Sequence, residues 1–156
     1  VPVSSVNVYA IDDALATYEA GDVYETTLKR LVKCNVIDTS TREFPKFDLM
    51  LFDIGPDGHV TSLFLGHPFL KEDKKLVTFI RDSPKRPLER ITFTIAVINS
   101  SSNIAMVVSG EGKANVVNSA LKGHEKTDKL PVELVSPEGE WKWYLDVGVS
   151  SKLFKE

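Results

Sequence analysis

Residues 48–66 read Asp48-Leu49-Met50-Leu51-Phe52-Asp53-Ile54-Gly55-Pro56-Asp57-Gly58-His59-Val60-Thr61-Ser62-Leu63-Phe64-Leu65-Gly66. An apolar run of strand length, Phe47 to Phe52, breaks into a Gly-Pro-Asp-Gly turn, and His59 follows at once. A strand ending in a glycine turn presents its last side chains at the carboxyl edge of a sheet, where open α/β folds bind ligands. A histidine at that edge can take or give a proton near neutral pH. His59 is therefore the leading catalytic candidate. Asp57, two residues away, is placed to orient or electrostatically support the ring. Gly55 and Gly58 permit close approaches that a side chain would block, and exposed amides in such a turn can hold an anion or an oxyanion. The plainer alternative for His59 is an imidazole satisfied by turn backbone groups. Thr61-Ser62 has the composition of a helix start.

Working outward, strand and helix signals alternate. Val6 to Ala10 alternates weakly as a short strand, Asp12 and Asp13 cap a short helix, and a second helix begins near Asp22. In that helix Tyr24, Leu28, Leu31 and Val32 share one face, while Glu25, Lys29 and Arg30 point elsewhere. Leu76 to Ile80 is a strand. Ile91, Phe93, Ile95 and Val97 alternate with Thr92, Thr94 and Ala96, which predicts a further strand. Ile104 to Val108 has the near-continuous apolar character of a strand covered on both faces. A helix carrying Val116, Val117, Ala120 and Leu121 follows and stops at Gly123. Residues 130–135 and 140–145 read as two late strands, with a short helix after them. The class is α/β with a largely parallel sheet.

Composition bounds the function. At 156 residues the expectation is one domain spanning residues 1–156. A formal net charge of -3 gives no field to draw nucleic acid or an acidic membrane. The apolar runs are shorter than a bilayer span. The single cysteine, Cys34, excludes an internal disulfide, leans towards a reducing compartment and is expected to be structural. One cysteine and three scattered histidines make no zinc cage, so no metal is expected.

Other stretches carry weaker chemistry. Ser109-Gly110-Glu111-Gly112-Lys113 joins a strand to a helix start, a generic anion site with Lys113 as a point charge; a solvated Lys113 is the equal alternative. It fits neither nucleotide-binding glycine spacing. Lys85 and Arg86 lie in a run that reads as a charged surface loop, whereas Arg90 opens a strand and could hold a carboxylate or phosphate. Trp141, Trp143 and Tyr144 read as packing residues. His67 and His124 have no catalytic setting, and no Gly-x-Ser-x-Gly elbow exists.

Taken together, Phe47-Asp48-Leu49-Met50-Leu51, Gly55 through Phe64, Asp82-Ser83-Pro84-Lys85, Arg90-Ile91-Thr92-Phe93-Thr94, Gly110-Glu111-Gly112-Lys113-Ala114 and Leu130-Pro131-Val132 resemble the 6-phosphogluconolactonase family, in wording most like the plant enzymes. Glucosamine-6-phosphate deaminases share Asp-Gly-His, but Ser62-Leu63-Phe64 points to the lactonase branch. The resemblance implies a Rossmann-like three-layer α/β sandwich with a mostly parallel sheet. It implies hydrolysis of 6-phosphogluconolactone to 6-phosphogluconate in the pentose phosphate pathway, with no metal or cofactor. Carried over by position, His59 is the general base, the glycine-turn amides steady the oxyanion, and Lys113 and Arg90 meet the anionic groups of a phosphorylated sugar lactone.

The chain departs from the pattern at Asp53, where the family has glycine, and at Leu65, where it has proline. A carboxylate at Asp53 would repel an anionic substrate or, close to His59, favour the protonated ring. Members also carry about 90 residues ahead of the point matching Val1, so the chain corresponds to the C-terminal two-thirds of the family fold, apparently without its first strands. That implies an open sheet edge through which a homodimer could form. The expected address is cytoplasmic, with the plastid as the alternative. Set against the hydrolase is a truncated, catalytically silent domain that binds sugar phosphate or another protein.

Overall fold

The computed structural model describes residues 2–123 and 128–153. Its centre is β6 (Asn103–Val108), flanked in parallel by β3 (Met50–Phe52) and β7 (Glu140–Leu145) in the order β3-β6-β7. Two antiparallel pairs stand apart from this sheet: β1 (Asp38–Thr39) with β2 (Pro45–Lys46), and β4 (Val77–Ile80) with β5 (Arg90–Phe93). The helices are α1 (Thr17–Lys33), α2 (Ile95–Asn99), α3 (Ala114–Lys122) and α4 (Val147–Ser150). The α/β class and the parallel sheet are as the sequence predicts.

Alternation along β6 determines where the core lies. Ile104, Met106 and Val108 are at most 1% exposed and share one hydrophobic cluster with Val97 and Ile98 of α2, Val116 and Val117 of α3, and Val149 of α4. Each such side chain contributes roughly 1.5–3 kcal/mol by leaving water. The other face of the sheet behaves differently. Leu51 is paired with Ala105 and Val107 with Tyr144, and Leu51, Val107 and Tyr144 are 67%, 53% and 56% exposed. Ala105 alone of these is buried. Tyr144 is thus not the packing residue expected, while Trp141 and Trp143 are half-buried against the core with ring centroids 5.5 Å apart.

Helix α1 packs on the β4–β5 pair through buried Leu28 and Leu31. Glu25, expected to point away, faces inward: its carboxylate accepts from the Leu76 and Val77 amides at 2.9 and 3.0 Å and pairs with Lys29. Burial alone would raise this carboxyl, but the Lys29 ammonium and those two amides outweigh it and lower the pKa.

Several expected elements take another form. The strand at Ile91 to Val97 ends at Phe93, because the Thr94 hydroxyl donates to the Lys75 carbonyl and caps α2 by accepting from the Val97 amide. Residues 130–135 form a 3-10 turn, Pro131–Leu134; Pro131 has no amide for a ladder, and the Glu133 carboxylate takes the Leu130 N–H. Val6 to Ala10 is exposed and forms no strand: Val6 and Asn7 belong to a 3-10 turn, Ser5–Asn7, and the Tyr9 carbonyl accepts from the Tyr24 hydroxyl at 3.2 Å. Asp12 closes a turn onto the Ala14 amide rather than capping a helix, and α1 starts at Thr17 instead of near Asp22. No helix follows Thr61-Ser62, since Thr61 adopts a positive φ of 53° in a tight reversal joining Val60 to Leu63.

Candidate active site

Because β3 and β6 run parallel side by side, the chain leaves both at the same edge. Residues 53–61 follow β3 and residues 109–113 follow β6, so His59 and Lys113 arrive at one cleft of about 370 Å³. Asp53, Gly55, Pro56 and Thr61 line it with them.

The turn is tightly built. The Gly55 amide donates to the His59 carbonyl at 3.0 Å and the Gly58 amide to the Gly55 carbonyl at 2.9 Å, while Ile54 bridges Val60. Gly58 has φ of 81°, and its carbonyl receives the Val132 amide at 3.1 Å. A Cβ added at Gly55 would overlap the His59 ring, so only glycine leaves room for it there. Both glycine amides expected to steady an oxyanion are thus already donating within the turn. These glycines serve by shape instead.

His59 stands between two partners. Its ring rests on Phe64 with centroids 4.6 Å apart, and Nδ1 lies 2.6 Å from Asp57 Oδ1. Asp57 also accepts from Lys85 Nζ at 2.9 Å. Partial burial pushes the Asp57 carboxyl up, but the hydrogen bonds from Lys85 and His59 prevail and hold it at about 2. Asp57 is therefore a carboxylate at neutral pH and accepts a hydrogen bond from Nδ1–H. In the neutral ring that arrangement makes Nε2 the acceptor, and no described residue hydrogen-bonds to it.

The remaining candidates divide. Lys113 pairs with Asp53, whose other oxygen accepts from the Ile54 amide at 2.8 Å. Asp53 is thus the partner of Lys113, and no bond joins it to His59. Arg90 does not line the cleft: its guanidinium donates to the carbonyls of Pro87, Lys85 and Arg86 at 2.9, 2.9 and 3.0 Å, and lies 5.7 Å from the Phe64 ring centroid. It is a brace for the loop that carries Lys85.

Lys85, expected on a solvated surface loop, does not line the cleft but reaches it through its bond to Asp57. Asp146 was not singled out either; it caps α4 by accepting from Val149 at 2.7 Å and grips the Gly110 amide at 3.0 Å, tethering the loop that bears Lys113. These backbone bonds lower its carboxyl pKa. An Asp before a short helix is a readable cap signal, but its second grip depends on the fold. Thr61 Oγ1 and Thr92 Oγ1 meet at 2.7 Å beside the cleft.

His67 accepts from the Phe69 amide and faces Asp82 at 3.5 Å, a local capping role. His124 lies outside the described residues. Cys34 is an exposed helix-end residue. Among the described residues no group of three His, Cys, Asp or Glu side chains is placed to hold a metal ion.

A family model described as glucosamine-6-phosphate isomerases/6-phosphogluconolactonase matches residues 1–143. The chain belongs to that family. It is 55% identical over 155 residues to 6-phosphogluconolactonase 3, chloroplastic, of Arabidopsis thaliana, covering 98% of this chain and 47% of the relative. It is 54% identical over 156 residues to probable 6-phosphogluconolactonase 4, chloroplastic, of Oryza sativa subsp. indica, covering 98% and 48%. The chain therefore spans about half the length of these relatives. Among solved structures, 6-phosphogluconolactonase from Leishmania guyanensis superposes with a TM-score of 0.78 at 25% identity, covering 98% of this chain and 64% of that one. The Thermotoga maritima enzyme gives 0.73 at 27%, covering 92% and 57%. The family fold and the plant-like character expected from the sequence both hold for this family member.

Proposed function

We propose that this protein hydrolyses 6-phosphogluconolactone to 6-phosphogluconate, the activity named for its relatives, with His59 as general base. The observation that carries the reading is the 2.6 Å contact of His59 Nδ1 with Asp57 on a ring that lines the cleft. With Nδ1 donating, Nε2 accepts a proton from a water as its oxygen attacks the lactone carbonyl. The tetrahedral intermediate collapses with cleavage of the bond to the ring oxygen, and Nε2–H returns the proton to that oxygen. Water and lactone give the acid, and the imidazole ends as it began. Lys113 supplies positive charge for an anionic group of the substrate. The chloroplastic names of the relatives favour a plastid over the cytoplasm.

A second reading, a catalytically silent sugar-phosphate-binding domain, draws on a specific observation. Both cations nominated for anion contact are engaged, Arg90 by loop carbonyls and Lys113 by Asp53. A lactone-hydrolysis assay, corrected for the spontaneous reaction, separates the two. The hydrolase reading predicts a rate above buffer that falls about 10²- to 10⁴-fold in His59→Ala. A wild-type rate equal to buffer leaves the binding domain, and a rate above buffer that is unchanged in the variant removes His59 as the base.

A further inference from the structure

We infer that Asp53 is a built-in competitor for the lysine of the cleft, a carboxylate that sets how strongly the site takes an anionic ligand. As an account of substrate this rests on the function proposed above; as an account of anion binding it stands by itself. Asp53 is the first residue beyond β3 and Lys113 the last before α3. The adjacency of β3 and β6 brings their side chains together at the wall that also holds His59.

The pair is asymmetric. The Lys113 side chain is 21% exposed and that of Asp53 is 58% exposed, so the lysine is held and the carboxylate is the solvated partner. A phosphate brings more charge and more acceptor oxygens than a carboxylate. It can take the ammonium while Asp53 turns to water at little desolvation cost. Among the described residues Lys113 is the cation lining this cleft, because Lys85 is bound to Asp57 and Arg90 to carbonyls. Competition at this one ammonium therefore governs anion affinity.

The test is calorimetric titration of the whole chain with inorganic phosphate, for wild type, Asp53→Asn, Lys113→Met and the double variant. Asparagine keeps an oxygen for the Ile54 amide, removes the charge and puts an NH2 in place of the oxygen that holds Lys113. The expected result is binding about three- to tenfold tighter in Asp53→Asn, weaker in Lys113→Met, and no gain from Asp53→Asn in the Lys113→Met background. Three outcomes overturn the inference: an unchanged or weaker affinity in Asp53→Asn, an equal gain without the lysine, or no phosphate binding by any of the four. Phosphate binding involves no hydrolysis. A chain inert towards lactone but showing this pattern keeps the competitor and loses the enzyme, and an active chain lacking it does the reverse.

Discussion

At the scale of single residues, the proposed chemistry turns on how few positions the imidazole has. Gly55 gives it room, Phe64 supports its face and Asp57 fixes its proton. Gly55→Ala should therefore push the ring out of place and lower lactone hydrolysis at least about tenfold, a loss read directly from initial rates. The Asp57 carboxyl, held at about 2 against an ordinary 3.8, ties stability to pH with a definite sign. A depressed carboxylate stabilises the fold above its unfolded pKa, and that contribution disappears as pH falls through the folded value. Thermal melts should show wild type losing more stability than Asp57→Asn between about pH 4 and pH 2. Equal losses would mean that Asp57 is not so engaged in solution. The contact of His59 with Asp57 was legible because the turn residues and their spacing are local. Lys85 was not, since a lysine in a Pro-rich charged run looks solvated until the loop folds back. Arg90 misled for the matching reason: its strand position is fixed, but a guanidinium finds carbonyls in its own loop first.

At the scale of elements, the parallel strands were readable and the punctuation between them was not. The apolar run of β6 is a strand and α3 stops at Gly123 as expected, but β6 is covered on one face only, since Val107 is 53% exposed. The alternation through Val97 failed because period-two spacing continues past Thr94, whereas the Thr94 cap turns the chain into α2. Residues 130–135 failed because a proline at the first turn position outweighs β-branched neighbours. Two carboxylates join elements in ways no local pattern announces. Asp146→Ala should lower the melting temperature through the lost cap of α4. It should also loosen the 109–113 loop, so that phosphate affinity falls along with the melting temperature. A stability loss with unchanged affinity would separate the loop from the cap. Glu25→Gln, which weakens the hold of α1 on the first amides of β4, should lower the melting temperature without affecting phosphate affinity.

At the scale of the whole molecule, the two faces of the parallel sheet are unequal. Met106→Ala, on the buried face, should cost about 2–5 kcal/mol in denaturant unfolding. Leu51→Lys and Val107→Lys, on the exposed face, should each change stability by no more than about 0.5 kcal/mol, because neither side chain gives up packing. A large loss at either would show that the face is covered in solution. The difference between the faces has no trace in the sequence, where both sides of β6 are apolar. One measurement bears on all three scales, because the turn, the strand edge and the core together hold one nitrogen bare: the tautomer of His59 by long-range nitrogen–proton NMR at neutral pH. The account predicts a proton on Nδ1, an unprotonated Nε2, and a loss of that preference in Asp57→Asn. A proton on Nε2 in the wild-type chain would contradict it, since a nitrogen that already carries a proton cannot take one from water.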